Sequence, residues 1–431
     1  MRVRFVYAAF QRHAEAHPEL REWVPCNEYF GPPSLGIAYI AAVTPSQYEI
    51  EFRDDRIEDI GLDDDVDLVA ISCFTPSAKR AMEIADAFRA RGKKVVLGGI
   101  FPTAMPDVAK LHADAVVIGE GEAVWPTVLE DARLGQLKPV YESATPVDLE
   151  ALPPPRVDLY LDKEGPTYRP DDYPVQVSRG CPLRCSACIL PVSMGRTLRN
   201  LPDAHVLALV DALNARGKLA SFTEDTSFFP TAGTLRRFVE LCETLGQGSK
   251  SAKVSYIGIS MPMILATPSS ALARMQKAGI TMFYLVGGFD PITRGAFTGT
   301  DPKSHSRAVE AIRKAFDHGI EPYTSFLVGN EDDDEGTFDR MLEFSDTAGV
   351  RKAEFAIMTP YPGTPVWQRL VNEKRILHRD WSKYNDANVV YQPAKMSPDA
   401  LLAGYLYLWR EFYKSRQALR SLDVVERTIQ F

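Results

Sequence analysis

Short runs of β-branched and aromatic residues alternate with helical patterns along the first third of the chain. Five such runs end in turn residues, at residues 2–8, 48–54, 66–72, 93–99 and 113–119. A helical pattern lies between the third and fourth runs, with Ser77 as its predicted N-cap and Gly92 as its predicted C-cap. This alternation predicts a doubly wound parallel sheet that binds any ligand at the carboxyl ends of its strands.

Four turn segments rich in glycine and small polar residues fall at that predicted sheet edge. Their sequences are GPPSLG (31–36), FTPSA (74–78), GGIFPT (98–103) and GEGE (119–122). A single glycine turn at the end of a strand is more often an ordinary loop than a binding site. Four of them at one edge favour a ligand.

A second alternation of strands and helices follows a proline-rich stretch at residues 144–161. Its strand patterns lie at residues 174–178, 219–222, 253–257, 281–285, 322–328 and 352–358. Six such units predict an open parallel (β/α)6 barrel with its chemistry at the carboxyl ends of the strands. We therefore expect an N-terminal domain at 1–145, a linker at 146–170, the partial barrel at 171–370 and a helical C-terminal extension at 371–431, which packs onto the barrel.

The composition narrows the possible partners and compartment. The chain has 431 residues, 45% hydrophobic and 25% charged, and no run approaches the length of a membrane span. A formal net charge of -8 and the absence of a basic block argue against nucleic acid as a partner. Six cysteines, half of them clustered, do not resemble a secreted disulfide framework, which predicts a cytoplasmic protein.

The clustered cysteines are the most specific chemical signal in the chain. The segment VSRGCPLRCSACILP (177–191) contains Cys181, Cys185 and Cys188, which we call the cysteine triad. Zinc usually takes a fourth protein ligand, and no second cysteine pair is close in sequence. A [4Fe-4S] cluster held by three thiolates leaves one iron open to a small molecule. Zinc, or three incidental thiols, are the alternatives.

The triad in this context resembles the radical S-adenosylmethionine superfamily, and more closely its subgroup with an N-terminal cobalamin-binding-type domain. SRGCPLRC, FTEDTSFF, HGIEPYTSFLVG and TPYPGTPVWQRL have the shapes usual in the barrel, while GPPSLGIAYIAA, VVLGGIFPTAMP and VVIGEGEAVWP are typical of the N-terminal domain. The resemblance implies that S-adenosylmethionine binds the open iron. One electron from a reductant such as flavodoxin or ferredoxin then cleaves its sulfonium.

The resemblance also implies roles for particular residues. Glu224 and Asp225, after the second barrel strand, would receive the ammonium group of S-adenosylmethionine, and Ser260 and Asp290, after the third and fourth strands, would face its methionine part or ribose. Cobalamin would bind along the edge of the N-terminal sheet, through Pro33, Ser34, Thr75, Ser77, Gly98, Gly99 and Glu120. The alternative is a degenerate domain that keeps the fold for structural reasons.

If cobalamin binds, the resemblance implies methyl transfer as the reaction, in secondary metabolism. We expect a small-molecule substrate, because no appended recognition domain remains once both folds are counted. The family usually has an aromatic residue just before the third cysteine, and this chain has Ala187. A differently presented sulfonium would allow transfer of a 3-amino-3-carboxypropyl group instead. Cyclisation or rearrangement by the deoxyadenosyl radical is a further alternative, and an iron-sulfur electron-transfer protein is the non-enzymatic one.

Overall fold

The computed structural model describes residues 1–24, 31–222, 231–247, 253–286, 295–297 and 301–416. Within these residues the chain forms two six-stranded parallel sheets and one two-stranded antiparallel hairpin. No helix in these ranges is long and apolar enough to cross a membrane.

The first sheet confirms the predicted doubly wound architecture. Its strands are β1 (Arg2–Tyr7), β2 (Glu49–Asp54), β3 (Leu68–Ser72), β4 (Lys94–Gly98), β5 (Ala115–Ile118) and β6 (Val140–Glu142), in the order β2-β1-β3-β4-β5-β6 with every neighbouring pair parallel. The strand order reverses between β1 and β3, and such a reversal leaves a crevice at the carboxyl edge. The three-residue β6 was not predicted, because so short a run carries no usable hydrophobic pattern.

Helices cover both faces of this sheet, so its central strands are buried almost throughout. They are α1 (His13–Ala16), α2 (Leu35–Ala42), α3 (Ala78–Ala90), α4 (Ile100–Ala104), α5 (Pro106–Ala109) and α6 (Trp125–Arg133), with 3-10 turns at Pro18–Glu22 and Thr75–Ser77. Ser77 is the N-cap of α3 by position, but its hydroxyl bonds Phe74 instead of the helix. The C-cap is Arg91, and the predicted Gly92 follows it at a φ of 74°.

The proline-rich stretch after β6 lies across the first domain. It includes the short helix α7 (Asp158–Leu161), whose Tyr160 is almost fully buried. The Tyr160 hydroxyl donates to the carbonyl of Ser34 at 2.8 Å and accepts from the amide of Ala38 at 3.0 Å. This segment therefore fixes the start of α2, which borders the crevice.

The second sheet confirms the predicted open barrel. The strands after β6 are β7 (Asp172–Pro174), β8 (Ser178–Arg179), β9 (Arg199–Asn200), β10 (Leu219–Phe222), β11 (Val254–Ile259), β12 (Met282–Val286), β13 (Glu321–Val328) and β14 (Lys352–Ile357). The parallel sheet has the order β14-β13-β12-β11-β10-β7, and β8 pairs with β9. The first barrel strand begins and ends earlier than residues 174–178, because the chain turns away from the sheet to enter the hairpin of β8 and β9.

The remaining helices surround this sheet and form the C-terminal segment. They are α8 (Leu190–Ser193), α9 (Asp203–Ala215), α10 (Ala232–Gly246), α11 (Met261–Ala266), α12 (Ser269–Lys277), α13 (Pro302–Asp317), α14 (Thr337–Ala348), α15 (Pro365–Asn372) and α16 (Pro398–Lys414), with a 3-10 turn at Trp381–Lys383.

Helix α16 packs onto β14, as predicted for the C-terminal extension. The Phe355 ring lies 5.4 Å from that of Trp409 and 5.5 Å from that of Phe412, between ring centroids. The same helix reaches the N-terminal domain, where the Tyr405 hydroxyl and His13 Nδ1 are 2.9 Å apart. Helix α16 therefore contacts both the barrel and the N-terminal domain.

Candidate cofactor site between the sheet edge and the cysteine loop

The hairpin of β8 and β9 holds the loop that carries the cysteine triad; we call residues 180–198 the cysteine loop. Gly180 enters this loop at a φ of 80°, and a Cβ added there would lie 2.1 Å from the carbonyl oxygen of Thr197. The amide of Cys181 donates to the carbonyl of Gly195 at 3.1 Å. Only glycine fits the entry to this loop, because both its backbone angle and the space beside it exclude a side chain.

The three triad thiols are half-buried and close enough to influence one another. Burial raises the pKa of the Cys188 thiol to about 11, and charge on Cys185 and Cys181 adds to the increase. In the described part of the chain, no three His, Cys, Asp or Glu side chains are placed to hold a single metal ion. Thiolates that hold a cluster each bind a different iron and need not converge on one point, so the donor set fits a [4Fe-4S] cluster with one open iron.

The segment TPYPGTPVWQRL (359–370) packs against the cysteine loop. Gly363 has a φ of 88°, and a Cβ at this position would lie 3.3 Å from Val192 and 3.6 Å from Ile189. The amide of Val366, in the first turn of α15, donates to the carbonyl of Ser186 at 3.0 Å. This segment therefore supports the loop beside half-buried Ala187.

The predicted S-adenosylmethionine residues are only partly within the described chain. Glu224, Asp225 and Asp290 lie outside the described residues. Ser260 lies at the carboxyl end of β11 as predicted, where its carbonyl accepts from the amides of Met263 and Ile264 at the start of α11. Its hydroxyl makes no cap bond to α11. The roles of all four residues stay predictions.

A cavity of about 400 Å³ occupies the carboxyl edge of the first sheet, and we call it the edge cavity. Four of the predicted cobalamin residues line it: Ser34, Gly98, Gly99 and Glu120. The other three are not among its lining residues. Pro33 is buried beside Ser34, and Thr75 and Ser77 are buried in the 3-10 turn before α3.

The two glycines at the end of β4 shape the floor of the edge cavity in different ways. Gly99 has a φ of 101°, and a Cβ there would lie 2.7 Å from the carbonyl oxygen of Cys73, so glycine is required by the turn itself. A Cβ on Gly98 would meet only Val117, at 3.8 Å. The missing side chain of Gly98 therefore leaves room for a ligand, which fits the close backbone approach expected of a cobalamin site.

The opposite wall of the edge cavity comes from the barrel, and residue patterns in the sequence did not identify it. The lining residues on this side are Gln176, just before the hairpin, Arg179 in β8, and Ser193 and Met194 in the cysteine loop. The cavity is thus bounded by the sheet edge on one side and by the triad's own loop on the other.

Buried ion pairs connect these two walls. Arg179 lies 3.0 Å from Glu120 and 2.7 Å from Glu122, and Arg199 lies 2.9 Å from Glu120. We call these four residues the Arg179 network. Glu120 was predicted to contact cofactor, and it does line the cavity, but its carboxylate already binds two arginines. The paired acids of GEGE and the arginine of SRGC were the available sequence signal for this pairing.

Two family models match the chain. Residues 29–129 match the B12 binding domain and residues 175–345 match the radical SAM superfamily. Two curated relatives from Chlorobaculum tepidum are bacteriochlorophyllide d methyltransferases. The C-12(1) enzyme is 27% identical over 90% of this chain and 84% of its own length, and the C-8(2) enzyme is 28% identical over 88% and 86%.

Solved structures share the fold at low identity. The methyltransferase TsrM from Kitasatospora setae, with cobalamin and a [4Fe-4S] cluster bound, superposes with a TM-score of 0.64 at 15% identity, over 97% of this chain and 88% of its own. The cobalamin-dependent radical enzyme OxsB with aqua-cobalamin gives a TM-score of 0.60 at 17% identity, over 86% of this chain and 55% of its own. These likenesses establish the two-domain architecture.

Proposed function

Because this chain belongs to the radical S-adenosylmethionine superfamily and carries a B12-binding domain ahead of its barrel, we propose that it is a cobalamin-dependent methyltransferase. Its cofactors are a [4Fe-4S] cluster, S-adenosylmethionine and cobalamin. The two bacteriochlorophyllide methyltransferases, which align over most of the chain, support methyl transfer as the reaction. The substrate class we propose is a small molecule of secondary metabolism.

The observation that carries this proposal is the shared wall of the edge cavity. The cavity lies where a B12-binding sheet takes its ligand, yet Arg179 and Met194, which line it, belong to the hairpin and loop that hold the triad. A corrin in the cavity would therefore lie next to the cluster. Methyl transfer needs this proximity, because the methyl carrier and the radical must reach the same substrate.

Each cofactor would be held by residues of known position. The cysteine triad would ligate the cluster, and Ser34, Gly98, Gly99 and Glu120 would border the cobalamin. When bound, cobalamin carries the methyl group, and the cluster supplies the electron that cleaves S-adenosylmethionine. The protein would position both groups.

We further propose that an external one-electron donor such as flavodoxin or ferredoxin reduces the cluster. The tip of the cysteine loop is open to such a partner, since Leu183 is 45% exposed and Arg184 is exposed. A cytoplasmic location accords with this need and with the five described cysteines, none of which forms a disulfide.

The test is to identify the nucleoside products of the reconstituted enzyme. The protein is loaded anaerobically with iron, sulfide and hydroxocobalamin, then given methyl-labelled S-adenosylmethionine, a strong reductant and a candidate acceptor. Bacteriochlorophyllide d and tryptophan are the first acceptors to try. The first is named in the relative from Chlorobaculum tepidum, and the second is the substrate bound in a structure of TsrM. The control is the triple alanine variant of the cysteine triad.

Methyl transfer predicts S-adenosylhomocysteine together with 5′-deoxyadenosine, and label in the acceptor. Production of 5′-deoxyadenosine alone, with no label transferred to any acceptor, would instead indicate a rearrangement or cyclisation. Methylthioadenosine would contradict methyl transfer and support aminocarboxypropyl transfer, the alternative motivated by Ala187. A wild-type protein that leaves S-adenosylmethionine intact would support the electron-transfer alternative.

A further inference from the structure

The Arg179 network joins two structural units that each hold one cofactor site. Arg179 is in β8, two residues before Cys181, whereas Glu120 and Glu122 follow β5 of the first sheet. The side chains of Arg179, Glu120 and Glu122 are 4%, 9% and 6% exposed. A chain segment that carries a cluster ligand is therefore fastened to the wall of the edge cavity through buried charges.

Arg179 is held from several directions. Its Nε donates to Gln176 Oε1 at 2.8 Å, and its guanidinium lies 4.8 Å from the centroid of the Tyr39 ring. Tyr39, Gln176 and both glutamates also line the edge cavity. A guanidinium with planar, directional donors fixes its partners more tightly than an ammonium would.

Arg199 extends the same connection to the second strand of the hairpin. It binds Glu120 and donates to the carbonyl of Val147 at 2.9 Å, while the amide of Val147 donates to Glu120 at 3.1 Å. Both strands that bracket the cysteine loop are thus attached to Glu120. Displacing either strand would leave a buried charge without its partner, which is strongly unfavourable.

We propose that Arg179 is a positioning residue that couples the two cofactor sites, so that order in the cysteine loop strengthens corrinoid binding in the edge cavity. Coupling between two sites is reciprocal, so bound corrinoid also slows the loss of iron from the triad. The proposal rests on the cofactor assignment made above and is independent of methyl transfer.

The experiment measures the dissociation constant of hydroxocobalamin twice for each variant, once with the cluster reconstituted and once after iron is removed by a chelator. We call the ratio of the two constants, iron-free over cluster-loaded, the coupling ratio. Occupation of one coupled site typically changes the dissociation constant at the other by about 5- to 150-fold, so we expect a wild-type coupling ratio of at least about 5. In R179M the ratio should fall most of the way toward 1, because the apolar side chain keeps volume but no longer binds the glutamates, and only the Arg199–Glu120 pair remains.

Three further variants keep the test decisive. E122Q preserves the Arg179–Glu120 pair and the side-chain volume, and it should give an intermediate coupling ratio even if R179M folds poorly. The matched control is K218M, which removes a comparably buried ion pair, Lys218 to Glu164 at 2.8 Å, outside the lining of the edge cavity. K218M should keep the wild-type ratio. R179K tests geometry, because it restores the charge without the planar fork and should recover only part of the ratio.

The outcomes separate this proposal from the proposed function. A wild-type coupling ratio near 1, or an unchanged ratio in both R179M and E122Q, would overturn the coupling even if methylated product forms. Coupling without a methylated product would contradict the methyl transfer alone. A wild-type protein that binds no corrinoid in either state would refute the cofactor assignment and this proposal together.

Discussion

Substitution of Gly98 tests whether the edge cavity is the corrinoid site. Gly98 ends β4 at the cavity floor, and an added Cβ would have only Val117 within 4 Å, at 3.8 Å. The Cβ of a substituted residue is therefore accommodated by the protein, beside the cavity that Gly98 lines. Inside a strand, replacing glycine by a β-branched residue also reduces the entropy of the unfolded chain.

The expected effect is loss of ligand affinity without loss of stability. Forcing extra carbons into an occupied, well-packed site typically costs about 1–3 kcal/mol. This cost corresponds to a dissociation constant about 5- to 150-fold weaker for hydroxocobalamin. Gly98→Ala adds one carbon instead of three and should produce the smaller end of this range. The thermal midpoint of the iron-free protein should stay level or rise in both variants.

The assay is equilibrium dialysis against hydroxocobalamin, read by absorbance, with iron content measured in parallel. Gly233→Val is the control, since this exposed position in the first turn of α10 is outside the cavity lining and its nearest neighbour, Thr231 Oγ1, is 3.7 Å from an added Cβ. The control should bind corrinoid as the wild type does. Unchanged affinity in Gly98→Val, with the protein folded and the wild type binding, would show that corrinoid does not use this cavity.

Three further predictions concern the triad, its loop and the stability of the fold. The triple alanine variant of the cysteine triad should lose the approximately four irons per chain expected of the reconstituted protein, measured by iron analysis; retention of the same iron and absorption would refute the assignment. Gly180 has a φ of 80°, and a Cβ there would lie 2.1 Å from the carbonyl oxygen of Thr197, so Gly180→Ala should lower the free energy of unfolding in urea by more than about 1 kcal/mol and reduce iron retention. Gly195→Ala is the control, since Gly195 has a φ of 75° but open space around an added Cβ, and its free energy of unfolding should fall by less. Burial of His13 lowers its pKa from 6.5 to about 3. Below pH 6.5 the unfolded chain therefore binds a proton that the folded chain does not, and the free energy of unfolding should fall by about 2 kcal/mol between pH 7 and pH 5. Urea denaturation at both pH values checks this, and an equal loss in a folded His13→Gln variant would refute the assignment to His13.

The strands were predictable because parallel sheets covered on both faces produce nearly continuous apolar runs. Strand β3 is an example, with Leu68, Val69 and Ile71 all buried. The first barrel strand was placed too late because PVQVS (174–178) has the same β-branched character, although Val177 and Ser178 leave the sheet to form the hairpin. The residue pattern of a short segment cannot distinguish a barrel strand from its continuation into a hairpin, because the distinction depends on which strands the segment pairs with.

The candidate site, like the fold, was only partly predictable from the sequence, because some of its features are local motifs and others depend on contacts between distant segments. The cysteine triad is a short motif and needs no tertiary contact to be recognised. The barrel wall of the edge cavity depends on pairs such as Arg179 with Glu120, which are 59 residues apart. The opposite charges of the two segments are visible in the sequence, but neither segment specifies the other as its partner. The hydroxyl of Ser77 is engaged within its own turn, where it donates to the carbonyl of Phe74, and its role toward cobalamin stays a prediction.

The Arg179 network is difficult to explain by stability alone. A buried ion pair often stabilises a protein no more than well-packed apolar residues of the same size would, because both charges must be removed from water. Two arginines face two glutamates here, so the network is internally neutral and adds no net charge to the cavity wall. Its distinctive property is directional, because each carboxylate accepts from the planar donors of a guanidinium. Movement of the hairpin relative to the sheet edge would lengthen and misalign these contacts. Such a contact fixes the distance between the cavity and the triad, and this distance determines whether a corrin and a cluster can act on the same substrate.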